Sequence, residues 1–325
     1  MVSFFKEKSA TAVFGLIFLS IALHAFFLHT PPAVIASPND GLLNYFLYPL
    51  ATLPAAAITL IYYVLVLVQA LRINYVLNDT RMHQKPAFTA GLAYILLTSL
   101  LPEWNNITPA LVANSLIIWL VYRMVKLYNT PNPKTLVYNI GLITGGAVLL
   151  YYPAMFIIPV IFFALGTARA FRINEWFVLL LGVITPVYFW CGYLFLTDQL
   201  AAITGLAALF RPHAISPVNV KLTALAFSTA GVLLIAGIAG WRANNNRMAI
   251  QVRKMWSVLF IMLLMFLPAV FIIKDAWPNA LLLACVPGAA FVSNAFLYPK
   301  RLVSAILFWF IIAVIVYINF LAAKI

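Results

Sequence analysis

Acid is scarce in this chain. Seven Asp and Glu are spread over 325 residues against 20 Lys and Arg, and all charged residues together make up 8%. Soluble domains carry roughly 25% charged residues, so this chain could not cover itself in water. Cysteine is nearly absent too. Cys191 and Cys285 both fall inside apolar runs; they form no disulfide framework and no metal spacing, and read as packing residues. The chain lacks G-x-x-x-x-G-K-[ST], so nothing indicates ATP hydrolysis, and it has neither H-E-x-x-H nor C-x-x-C.

What is present is apolar: 65% of the residues are hydrophobic. The runs are continuous rather than alternating, which excludes an outer-membrane barrel and points to helices crossing about 30 Å of hydrocarbon. The fold class expected is all-α, a polytopic transmembrane bundle forming a single integral membrane domain over 1–325. About eleven spans are expected, at 11–28, 51–71, 87–101, 109–122, 136–151, 154–168, 177–197, 222–241, 255–273, 280–297 and 303–323. With these spans, 16 of the 20 basic residues fall in loops on one side, and only Arg211, Lys221, Lys274 and Lys324 on the other. The positive-inside rule then places the amino terminus in the cytoplasm and the carboxyl terminus outside, in the periplasm of a bacterial inner membrane. The net charge of +13 is thereby absorbed by topology and does not imply nucleic acid.

The tryptophans follow the same layout. Trp104 and Trp277 fall at outer span ends and Trp176, Trp241 and Trp256 at inner ends, as an aromatic belt would. Residues 1–36 have a basic start, an apolar run and a small-residue step at Val34-Ile35-Ala36; the length of the run favours an uncleaved first span over a signal peptide. No soluble domain interrupts the spans, so any chemistry must occur in the membrane or at its faces.

All seven acids map to loops or span ends: Glu7, Asp79 and Glu175 inside, Asp40, Glu103, Asp198 and Asp275 outside. None lies near the midplane, where proton- and sodium-coupled carriers hold an ionisable group. Polar groups such as Asn114, Asn139 and Asn294 would still serve a carrier. The histidines, at 24, 29, 83 and 213, do not cluster. On the inner side, Asn174 is expected to cap a helix and Glu175 to meet its positive dipole end, beside Arg169 and Arg172. Gly141 and Gly145 have the spacing of close helix packing, as do Ala236 and Gly240.

The outer rim holds the candidate chemistry. Asp40 follows the first span, Glu103 tips the "LLPEWNN" hairpin, and Arg211 and His213 follow an apolar stretch in the loop after Asp198. Arginine suits phosphate through its planar donors, and a carboxylate at a water-poor rim can act as a general base.

The succession "HTPPAVIASPNDGLLNYF", "GLAYILLTSLLPEWNNITPALVANSLIIWLVYRMVKLYN" and "GLITGGAVLLYYPAMFIIPVIFFALGTARAFR", followed by a longer outer loop, resembles the integral-membrane GT-C glycosyltransferases over residues 1–220. Residues 221–325 would be additional carboxy-terminal helices. The resemblance implies transfer from a polyprenyl-phosphate-linked sugar at the periplasmic face. Asp40 would be the catalytic base, assisted by Glu103. Arg211, His213, Tyr151 and Tyr152 would bind substrate. No cofactor is evident, and a divalent cation could join Asp40 and Glu103. "LLPEWNN" and "FRINEW" also resemble a bacterial family of uncharacterised multi-pass membrane proteins. Two other readings stay open: a transporter or flippase of a lipid-linked or amphipathic solute, and a non-catalytic scaffold of envelope assembly. Membrane lipids are the expected partners in all three.

Overall fold

A computed structural model describes residues 2–7, 9–37, 39–199, 219–273 and 277–322. Their helices, in chain order, are α1 (Val2–Phe5), α2 (Ala10–Leu23), α3 (Ala55–Asp79), α4 (Thr89–Thr98), α5 (Pro109–Lys126), α6 (Lys134–Leu150), α7 (Ile158–Ala168), α8 (Ile173–Leu196), α9 (Val220–Asn245), α10 (Ile250–Phe266), α11 (Ala269–Ile272), α12 (Cys285–Leu297) and α13 (Arg301–Ala322). Among the described residues there is no strand, only an isolated parallel bridge between Val34 and Ile107. Several starts are capped as their sequence suggests. Ser9 accepts from the Ala12 N–H, Asn219 from Leu222, and Thr108 from Leu111 with Pro109 at the first helical position.

Among the described residues, six helical stretches are long and apolar enough to cross a bilayer: α3, α5, α8, α9, the run Ile250–Ile272 and α13. Five other apolar stretches among the described residues hold only 10–17 residues. At 1.5 Å per residue, α4 is about 15 Å long, half the hydrocarbon thickness. Every residue of α4 is buried, as is every residue of α12 except Leu297. A helix apolar all round belongs in an interior, and these two form the centre of the bundle. The peripheral helices do the reverse. Leu181, Ile184, Tyr188 and Phe189 on α8 and Val232 and Ile235 on α9 are exposed. Contiguous apolar surface of this kind is stable against lipid and not against water, so the protein is a membrane protein by its surface as well as by its helix lengths.

Glycine sets the tightest crossings. A Cβ on Gly141 would collide with the Leu179 carbonyl, and one on Gly145 with the Val183 carbonyl, so α6 and α8 meet backbone to backbone through Gly141, Gly145 and Gly182. Where α9 crosses α12, the closest approach is at Gly237, whose Cβ would strike the Phe291 carbonyl. The expected pair Ala236 and Gly240 brackets that point by one residue on one side.

The bundle has two ends. At the basic end, Phe88 N–H donates to Phe5 O at 2.8 Å, Lys6 Nζ to Pro299 O at 3.1 Å and Lys254 Nζ to Thr167 O at 2.8 Å. At the opposite end, residues 33–37 and 39–44 form a strap. Ile107 N–H donates to Ala33 O and Ile35 N–H to Ile107 O, while Leu43 N–H reaches Leu149 O at 3.0 Å.

Four local expectations are corrected. Arg72 does not begin a loop: α3 continues to Asp79, because Ile73, Val76 and Leu77 keep a helical apolar face buried. Arg72 therefore stands about 10 Å inside the helix end. Asn174 caps nothing, since α8 starts one residue before it; Glu175 does lie in the first turn of α8, as expected, and also pairs with Arg169 at 3.3 Å. Trp104 is not an interfacial anchor: it is buried, and its indole N–H donates to Pro278 O at 3.1 Å. Trp256 is buried likewise and donates to Met82 O at 3.3 Å.

Candidate functional site

The strap brings some of the expected outer-rim residues together. The Asp40 carboxylate accepts the Ser37 N–H at 2.8 Å, and the Asp40 carbonyl accepts the Tyr152 N–H at 2.7 Å. Asp40 is also within electrostatic reach of Tyr151. Tyr151 and Tyr152 are both buried in the turn between α6 and α7. Gly41 allows this approach: a Cβ there would run into the backbone carbonyls of Leu149 and Leu150. Glu103 sits on a different turn, Pro102–Asn105, where its carbonyl accepts from the Asn106 side chain at 3.4 Å. One of its carboxylate oxygens is buried with no hydrogen-bond partner among the described residues, and no hydrogen bond joins it to Asp40 there. Arg211 and His213 lie outside the described residues. Among those described, no three of His, Cys, Asp or Glu are grouped as a metal ion needs.

Inside the bundle, polar side chains gather in two connected groups. Toward the strap, His24 Nδ1–H donates to Ser20 O at 2.8 Å, and Nε2 faces the Tyr62 hydroxyl at 3.3 Å and the Ser99 hydroxyl at 3.2 Å. Asn105 Nδ2 donates to Asn319 Oδ1 at 2.8 Å, and Asn319 Nδ2 to Ser99 O at 3.2 Å. Deeper, the Tyr94 hydroxyl donates to Gln69 Oε1 at 2.7 Å and accepts from Asn114 Nδ2 at 3.2 Å. Gln69 Nε2 donates to Leu111 O and to the Ser115 hydroxyl. Buried polar groups in an apolar bundle are stable only when paired in this way. Asn114 is one of the three polar residues picked out in the sequence; its Oδ1 has no partner among the described residues.

Ser115 carries that polar group to the surface of the bundle. On α3, Val68, Arg72, Tyr75 and Asp79 recur at helical spacing along one face. On α5, Ser115, Trp119, Tyr122 and Lys126 do the same. Between the two stripes lies a groove of about 400 Å³ lined by Gln69, Arg72, Tyr75, Ser115, Trp119 and Tyr122. It opens sideways, with Val68, Tyr75 and Trp119 about half exposed. Tyr75 and Tyr122 stand with ring centres 5.9 Å apart, and the Lys126 ammonium lies 4.1 Å above the Tyr122 ring. Arg72 makes no hydrogen bond or ion pair among the described residues.

The same two stripes end at the basic end of the bundle, in a cavity of about 730 Å³. Asp79, Arg81, His83, Lys126 and Arg247 are among its lining residues. Its wall, the loop after α3, is clamped by Asn78, which donates to Ala87 O at 2.9 Å and accepts from Ala87 N–H at 3.2 Å. Arg81 is held at φ 52, a left-handed conformation that disfavours side chains other than Gly and Asn. His83 is buried, and burial lowers its pKa to about 4, so it is neutral at physiological pH. Its Nε2 pairs with the Ser293 hydroxyl at 2.9 Å.

The seam between α3 and α5 and this cavity were missed in the sequence, although one signal was available. The apolar period of α3 runs on past Arg72, and extending the helix to Asp79 puts Arg72 on the stripe. A model of DUF6427, a family of unknown function, matches residues 42–325. No curated protein and no solved structure matches the chain.

Proposed function

The chain belongs to the DUF6427 family, and on that premise we propose that it is a lipid-handling protein of the bacterial inner membrane. It admits an amphiphile with an anionic head into the α3/α5 seam. The observation that carries this reading is the continuity of the two stripes, from a laterally open apolar groove in the bundle to a basic cavity at its end. An acyl or prenyl chain fits the groove beside Trp119 and Tyr75. The head is drawn toward Arg81, Lys126 and Arg247, since cations at a membrane face attract anionic lipid. The basic end is then cytoplasmic, with the amino terminus inside and about eleven spans. The chain of paired polar groups from Ser115 through Gln69 and Tyr94 to Asn114 supports movement of a polar head past the midplane, the behaviour of a flippase.

Mass spectrometry of lipids retained by the purified protein tests the reading. Anionic lipids should be enriched over the bulk membrane extract, and Ser115→Trp, which fills the groove, should remove the enrichment. Retained lipids with the composition of the bulk extract would count against it.

A second reading, transfer from a polyprenyl-phosphate sugar at the opposite end, is supported by the approach of Asp40 to Tyr151 and Tyr152. There Asp40 is the base, and Glu103, Arg211 and His213 assist. Asp40→Asn should abolish transfer to an added acceptor while the protein keeps its unfolding temperature; unchanged transfer removes this mechanism.

A further inference from the structure

Among the described residues, three cations line the basic cavity, Arg81, Lys126 and Arg247, against one carboxylate, Asp79. None of the three is in an ion pair among the described residues; the ion pair found there is Arg169–Glu175, whose arginine also donates to the carbonyl of Thr130 on the cavity's lining. Cations held around a space of this size suit an anionic group, and arginine suits phosphate in particular.

His83 adds a second requirement. The Ser293 hydroxyl donates its one proton to Ala290 O at 2.6 Å, so toward His83 it can only accept. The Nε2–H of His83 therefore donates to Ser293 at 2.9 Å. A neutral imidazole carries one proton, and with that proton on Nε2 the other ring nitrogen, Nδ1, is a bare acceptor. Nδ1 is buried, has no partner among the described residues, and belongs to a residue that lines the cavity. A bare acceptor left unpaired in a buried place is unfavourable. It would repel a fully ionised phosphate oxygen and welcome an O–H.

We propose that the basic cavity binds a phosphodiester whose head carries a hydroxyl, a polyol or sugar phosphate: the phosphate lies against Arg81, Lys126 and Arg247, and the hydroxyl donates to His83 Nδ1. This assignment rests on the reading of the seam as the place of the attached chain. A choline head supplies no donor, and an ethanolamine head brings a cation toward three cations. Neither meets both requirements.

Native mass spectrometry of the full chain in detergent, titrated with four probes, tests the assignment. The probes are phosphatidylglycerol, phosphatidylmethanol, phosphatidylcholine and free glycerol 3-phosphate. The first two carry the same phosphodiester charge and differ in the hydroxyls of the head. Phosphatidylglycerol should bind about three- to tenfold more tightly than phosphatidylmethanol, the range of one added hydrogen bond. Both should bind more tightly than phosphatidylcholine. His83→Phe should erase the difference between the two anionic lipids while leaving phosphatidylmethanol bound. Arg81→Gln with Arg247→Gln should weaken both. Equal binding of phosphatidylglycerol and phosphatidylmethanol by the wild-type protein overturns the assignment, whether or not the His83 variant folds. If free glycerol 3-phosphate binds as tightly as phosphatidylglycerol and depends on His83, the head assignment stands and the seam reading falls. If no anionic probe exceeds phosphatidylcholine, both fall.

Discussion

Gln69 and Ser115 meet across the α3/α5 seam, the amide of Gln69 donating to the Ser115 hydroxyl at 2.8 Å. The same amide donates to Leu111 O at 2.7 Å and its oxygen accepts from Tyr94 at 2.7 Å. One side chain thus ties three helices together at the point where the buried polar groups reach the groove. Gln69→Leu strands the Tyr94 hydroxyl proton in an apolar interior, a loss of about 1–3 kcal/mol. Ser115→Ala leaves Gln69 its bond to Leu111 and should lose less. Thermal unfolding in detergent should rank wild type above Ser115→Ala above Gln69→Leu; equal unfolding temperatures would mean that Gln69 is not a structural tie.

The α6/α8 crossing gives a contrast between two glycines one residue apart. A side chain on Gly145 meets the Val183 carbonyl, whereas a Cβ on Gly146 meets nothing within 4 Å. Gly145→Leu should separate the helices and depress the yield of folded protein. Gly146→Ala should hold or raise the unfolding temperature, because alanine is favoured over glycine inside a helix by about 1 kcal/mol. Size-exclusion profiles and unfolding curves of the two variants decide this; similar behaviour would refute close packing at Gly145.

The strap depends on Gly41 in the same way. Gly41→Val drives a side chain at the Leu149 and Leu150 carbonyls and should lift the strap from the bundle. Limited proteolysis should then cut the strap many times faster than in the wild-type protein, with the helices intact. An unchanged cleavage rate would show that the strap is held elsewhere.

His83 makes stability depend on pH with a definite sign. Burial lowers its folded pKa to about 4 from the ordinary 6.5. Between pH 6.5 and 4, an unfolded chain takes up a proton that the folded chain refuses, so stability is complete above this window and falls as pH drops through it. The loss from this one group reaches about 3 kcal/mol at the acid end. In His83→Phe that part of the slope disappears. The unfolding temperature measured from pH 7.5 to 4 in both proteins tests the sign, and parallel profiles would exclude His83 as its source.

Much of this architecture is legible in one dimension. Apolar runs and scarce acid show a helical membrane protein, because hydrophobic burial depends on composition over a window of residues and not on partners. Gly141 and Gly145 announce a close crossing by spacing alone. Thr108-Pro109 marks the start of α5, since a cap and its proline act within one turn. The strap was not legible: Val34 with Ile107, and Asp40 with Tyr152, are backbone pairings between segments far apart in the chain, and no local pattern encodes them.

The sequence by itself determined the class of the protein and the grouping of its cations on one side; Arg72 and Lys126, which it left in loops, stand on helix faces of α3 and α5. Only the tertiary structure decided that these faces meet. It is also what sets His83 against Ser293, 210 residues away, and so leaves a bare nitrogen in a basic cavity. The physical reason is one of range. Helix formation and hydropathy are summed over neighbours along the chain, whereas a binding site is made by packing, which selects its contacts from every part of the chain at once.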